Sequence, residues 1–149
     1  MTTSETDAAA PEVRTGGCHC GAVRFEVALT DGLATARRCN CSFCAMRGAV
    51  AVSAPRDGLR VTAGADRLVR YAFNTQTAEH WFCGTCGIYT HHRRRSNPDQ
   101  LGVNLACLDG HGPFDLAEVR VLEGRAHPSD GARPRVAGRL RFTPSDDDA

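Results

Sequence analysis

Apolar residues recur at every second position along much of this chain. In GAVRFEVAL (Gly21–Leu29), Val23, Phe25, Val27 and Leu29 fall on one side, with Arg24 and Glu26 on the other. Side chains alternate between the two faces of a strand, so the pattern predicts a half-buried strand. Further β-rich runs follow at Gly48–Ala54, Leu59–Gly64, Leu68–Asn74, Ala78–Phe82, Ile88–His92, Leu101–Leu108 and Glu118–Gly124, separated by Gly, Pro, Asp and Asn. No long apolar stripe of period 3.6 interrupts them, and one helical turn is expected in Gly112–Glu118. The fold class this predicts is all-β, built of short strands.

One domain is expected, over residues 16–127. Residues 1–15 are small and polar and are expected to be disordered. Residues 128–149, rich in Pro, Gly and charge, are expected to form a flexible tail, although Val136, Leu140 and Phe142 give it apolar patches.

Charge narrows the partners. The chain has 149 residues, 18 Lys+Arg against 17 Asp+Glu, and a formal net charge of +1. Every basic residue is an arginine. Near neutrality argues against a nucleic-acid partner. The N-terminal MTTSETDAAAPEV has no basic region and no apolar core of a secretory signal, and no run of 18 apolar residues occurs. The expectation is a cytoplasmic protein with small-molecule partners and no membrane contact.

In that compartment the 8 cysteines point to metal or catalysis rather than to disulfides. They sort by spacing. Cys18 and Cys20 form Cys-x-Cys, Cys83 and Cys86 form Cys-x-x-Cys, and both pairs are flanked by glycines that permit tight knuckles. Together these four predict a tetrahedral four-thiolate structural zinc. It would tie the start of the domain to its middle, and closing so long a loop stabilises a small β domain.

Cys39, Cys41 and Cys44, in CNCSFC, supply three more sulfurs. Three protein ligands plus one exchangeable position is the pattern of a catalytic zinc. Closure by Cys107, His80, His91, His92 or His111 would instead give a second structural site. An open three-thiolate zinc is electron-rich, so it suits an incoming thiol better than water. It would hold that thiol as a nucleophilic thiolate. Arg37, Arg38 and Arg47 flank the triplet and are candidates to offset its negative charge.

GGCHCGAVRFEV, CNCSFCAMRG and FCGTCGIYTHHRRRSNPDQLGVNLACLDG together closely resemble the glutathione-dependent formaldehyde-activating family, which includes centromere protein V. The resemblance runs from about Gly16 to Glu123. It implies a zinc-stabilised fold of packed antiparallel sheets, of the β-tent type. It also implies a structural zinc on Cys18, Cys20, Cys83 and Cys86, and a second zinc on Cys39, Cys41 and Cys44. The activity implied is that of a carbon–sulfur lyase: addition of glutathione, or a similar low-molecular-weight thiol, to formaldehyde or another small aldehyde through a zinc-bound thiolate. The alternative is a non-catalytic zinc-stabilised module that binds a protein or nucleic acid.

Other residues have candidate roles. Arg93, Arg94 and Arg95 can fork the carboxylates of a glutathione-like thiol. Asn104, in an otherwise apolar strand, either satisfies the backbone or orients a substrate amide. Cys107, three residues on in the same predicted strand, should face the other way and be a small buried side chain. His91 and His92 should face opposite sides, with one of them a possible general acid. Trp81 is expected in the core or beside the zinc, and His19 in the turn between two ligands.

Overall fold

The computed structural model describes residues 12–125 and 134–146. The alternation read in the sequence produces its central strand. β2 (Arg24–Ala28) buries Phe25 and Val27 and turns Arg24, Glu26 and Ala28 partly outward. It lies between β1 (Val13–Gly17) and β5 (Leu59–Ala63), both antiparallel to it, in a three-stranded sheet.

The second sheet has eight strands. In chain order they are β3 (Arg37–Cys39), β4 (Ala51–Pro55), β6 (Leu68–Tyr71), β7 (Glu79–Cys83), β8 (Tyr89–Arg93), β9 (Gln100–Asn104), β10 (Glu118–Leu122) and β11 (Val136–Arg141). In space they run β11-β10-β3-β4-β9-β8-β7-β6. All neighbours are antiparallel except β3 and β10, which run parallel and pair Arg37–Cys39 with Arg120–Leu122. On the other side of β3, a single pair, Arg37 with Ala51, joins it to β4. The fold is therefore all-β, of packed, mostly antiparallel sheets.

The sheets close on one apolar core. Phe25 and Val27 from β2 meet Val52 and Ala54 from β4, Leu101 and Val103 from β9, and Leu105 and Leu108 beyond it. A second, smaller cluster of Cys18, Val23 and Cys83, flanked by Val61 and Leu68, joins the small sheet to the β6–β7 end of the large one. The only α-helix among the described residues, α1 (Ser42–Arg47), is six residues long. No helix among them is long and apolar enough to cross a membrane.

Some elements depart from the sequence reading. β1 begins at Val13, inside the stretch expected to be disordered, because its backbone pairs along all of β2. β11 occupies part of the expected flexible tail: it pairs with β10, and Arg139 and Arg141 reach Glu118 at 3.3 and 2.9 Å. The remainder of that tail, 128–133 and 147–149, lies outside the described residues, as do residues 1–11. The expected helical turn is present as a single 3-10 turn at Pro113–Asp115. Finally, the strand predicted to reach Leu108 ends at Asn104, whose side chain caps a 3-10 turn over Leu105–Cys107.

Candidate metal centres and the cavity beside them

The four cysteines grouped by spacing do come together. The sulfurs of Cys18, Cys20, Cys83 and Cys86 all lie within 4.8 Å of one another. Two separations are resolved: 3.6 Å between Cys18 and Cys20, and 3.8 Å between Cys20 and Cys83. A tetrahedron with metal–sulfur bonds near 2.3 Å has edges of about 3.8 Å, so the donor set fits a zinc-sized ion. The local chain supports this. Backbone N–H groups of Val23 and Thr85 donate to the sulfurs of Cys18 and Cys83, each at 3.3 Å. Gly21 and Gly87 turn the two knuckles at φ 83 and 80, where a Cβ would be strained. Backbone donors, that of Cys20 first, hold the Cys86 thiol below its ordinary range.

The triplet forms a separate cluster. Cys39 ends β3, Cys41 caps the start of α1 and Cys44 lies in its first turn. This strand-to-helix corner brings the three sulfurs within 4.8 Å of one another, and no other His, Cys, Asp or Glu among the described residues joins them. Backbone N–H groups of Cys41 and Cys44 donate to the sulfurs of Cys39 and Cys41, at 3.4 and 3.3 Å. Cys41 is pulled well down by hydrogen bonds from the other two thiols, Cys39 first, while Cys44 is pushed up by sharing its proton with them. Three sulfurs at this spacing make a donor set suited to a soft cation.

A loop clamps this corner. Asn40 accepts from the backbone N–H of Gly124 at 2.7 Å and donates to Glu123 at 3.3 Å. Gly124 approaches so closely that a Cβ there would lie 2.3 Å from the Cys39 sulfur. Sequence spacing alone could not show this contact, which joins positions more than eighty residues apart.

The triplet forms part of the wall of a cavity of about 690 Å³. Arg94 and Arg95 line it, as do Arg38, Arg125 and Arg135. Arg93 does not: it turns to Glu79, 3.6 Å away. Asn104 also lies elsewhere, with its amide donating to the Tyr89 carbonyl at 2.8 Å and accepting from the N–H of Ala106 at 3.1 Å. Cys107 shares that carbonyl at 3.4 Å, so it points to the same place as Asn104 and not to the opposite face. The 3-10 turn between them breaks the alternation.

Of the three flanking arginines, Arg37 is buried in the sheet, donating to Ser53 Oγ at 2.9 Å and to two backbone carbonyls; burial pushes its pKa down to about 10. Arg47 meets the triplet directly. Its guanidinium lies 3.6 Å from the Cys44 sulfur, 2.9 Å from His80 Nδ1 and 3.8 Å above the Tyr89 ring. The two adjacent histidines do divide: His92 lines the cavity and contacts the Tyr89 hydroxyl at 2.6 Å, whereas His91 stacks on Trp81. His80, Phe43 and Phe73 also line the cavity, roles that periodicity did not reveal.

A protein of Rhodobacter sphaeroides with a known crystal structure is 60% identical, with a TM-score of 0.71, and the match covers 72% of this chain and 98% of that one. Residues 13–120 match the family described as glutathione-dependent formaldehyde-activating enzyme. Both cysteine clusters and most of the eight-stranded sheet lie inside that span, and the chain belongs to this family.

Proposed function

We propose that this protein adds a low-molecular-weight thiol, glutathione or an analogue, to formaldehyde or another small aldehyde, with the four-cysteine cluster structural and the three-cysteine cluster catalytic. The observation that carries this reading is a cluster of three sulfurs, with no fourth protein ligand among the described residues, in the wall of a cavity lined by arginines. Zinc on Cys39, Cys41 and Cys44 would supply a Lewis-acid centre that keeps a thiol sulfur in its thiolate form near neutral pH.

The chain's own residues account for binding and orientation. Arg94 and Arg95 follow β8 on the cavity wall and hold the thiol's carboxylates by forked, charge-assisted hydrogen bonds. Arg47, against Cys44, offsets negative charge on that side of the cluster. Phe43 and Phe73 exclude water from the neighbouring wall. In the addition, a sulfur–carbon bond forms between thiol and aldehyde, the carbonyl π electrons move to oxygen, and the thiol's proton ends on that oxygen. No net proton is gained or lost, so a residue that only relays protons is sufficient. The enzyme class is carbon–sulfur lyase.

Metal stoichiometry with thiol response tests the assignment. Two zinc ions per chain are expected, with the optical spectrum of a cobalt-substituted triplet changing when glutathione is added. A single ion that does not respond to thiols would remove the catalytic assignment and leave a zinc-stabilised binding module.

A further inference from the structure

The cavity wall carries one aromatic patch among polar and cationic side chains. The β3, β10 and β11 end of the sheet contributes Arg38, Glu123, Arg125 and Arg135. The β6–β7 end contributes Phe73, Asn74, Thr75 and His80, and α1 adds Phe43 and Arg47, whose guanidinium lies 4.8 Å from the Phe43 ring. The aromatic groups form a contiguous cluster: Phe43 lies tilted 4.4 Å from His80 and 5.6 Å from Phe73, and Phe73 stacks 5.6 Å from Tyr71, centroid to centroid. Tyr71 remains 45% exposed. Phe43 sits between Cys41 and Cys44 in sequence and lines the same cavity as both.

Such a wall has nothing to recognise in formaldehyde, which carries no substituent. Nor do a thiol's carboxylates, held by Arg94 and Arg95, gain from an aromatic face. We infer that the aromatic end of the cavity selects the second reactant, and that the preferred aldehyde carries an apolar, planar substituent that stacks against Phe43 and Phe73. This rests on the thiol–aldehyde addition proposed above and makes Phe73 a specificity-determining residue. The reaction remains the same addition: the thiol sulfur bonds to the aldehyde carbon, and the thiol's proton passes to the carbonyl oxygen.

Enzyme-catalysed exchange between glutathione and three aldehydes, formaldehyde, acetaldehyde and 3-phenylpropanal, tests this, with rates corrected for the spontaneous reaction. The expected result is a kcat/KM for 3-phenylpropanal roughly tenfold or more above that for acetaldehyde, the scale set by burying a phenyl group. Phe73→Ala should reduce that ratio to within about threefold. Equal or better turnover of the two small aldehydes by the wild type would overturn the inference, as would a ratio unchanged in both Phe73→Ala and Phe43→Ala. A preference that instead follows an aromatic group on the thiol would also overturn it. If no thiol–aldehyde pair is turned over, the proposed function fails, and binding decides the remainder. Saturation-transfer NMR with the unreactive 3-phenylpropanol should show contact that is lost in Phe73→Ala, and an absence of contact in the wild type would overturn the aromatic site.

Discussion

Arg47 donates to Nδ1 of His80 across 2.9 Å, and this one bond fixes where the His80 proton resides. A guanidinium only donates, so Nδ1 must accept and the neutral ring carries its hydrogen on Nε2. That Nε2 is buried and has no hydrogen-bond partner among the described residues. Burial, with the Arg47 charge beside it, pushes the His80 pKa down to about 4, so the ring stays neutral at pH 7. Nitrogen-15 NMR should show the Nε2–H tautomer in the wild type. Arg47→Met should let both tautomers appear.

The two cysteine clusters should respond differently to removal of one ligand. Cys86→Ser opens the cluster that ties β7 to the chain before β2, and the domain should lose cooperative unfolding. Cys41→Ser should lose one metal ion and all turnover while the melting temperature changes by only a few degrees. Circular dichroism with metal analysis checks both. Equal unfolding of the two variants would refute the division of roles.

Both clusters were legible because the spacing of cysteines limits which sulfurs can share an ion. The surroundings were not, because they come from elements that meet only in three dimensions. Asn40 and Gly124 are joined by the β3–β10 pairing, and Arg47 and His80 by the seating of α1 against β7. Runs with clear alternation, such as Arg24–Ala28, were read correctly. β3 was missed because three residues give too little pattern, and β11 because its side chains are exposed on both faces. Asn104 and Cys107 were assigned opposite faces by a period-two rule that stops where the 3-10 turn begins.

Gly124→Ala should strike the triplet without harming the fold. The new methyl would fall 2.3 Å from the Cys39 sulfur and 3.0 Å from the Cys41 backbone nitrogen, so the corner must shift. Affinity for the second metal ion should fall at least tenfold, the scale typical of a disturbed supporting shell. Competitive chelation measures this, with the four-cysteine site as an internal control.

Acid should destabilise the domain through His91. The residue is 8% exposed, and burial pushes its pKa down to about 4. Between the ordinary histidine pKa near 6.5 and that value, the unfolded chain binds a proton that the folded one does not. This part of the stability is therefore complete above about pH 6.5 and is lost as pH falls towards 4, up to roughly 3 kcal/mol. Denaturant unfolding of wild type and His91→Gln over the same pH series should show a shallower acid loss in the variant, the difference cancelling the shared effect of thiolate protonation.

The single Arg37–Ala51 rung between β3 and β4 makes the large sheet two plates that share a narrow seam. Arg125 and Arg135 ride on one plate, Phe73 and His80 on the other, and the cavity straddles the join. A small rotation about that seam alters the cavity's span while breaking at most one backbone rung. The width offered to a guest thus depends on this narrow seam, and Ala51, which pairs with Arg37 and itself lines the cavity, is where a substitution would tighten or loosen it.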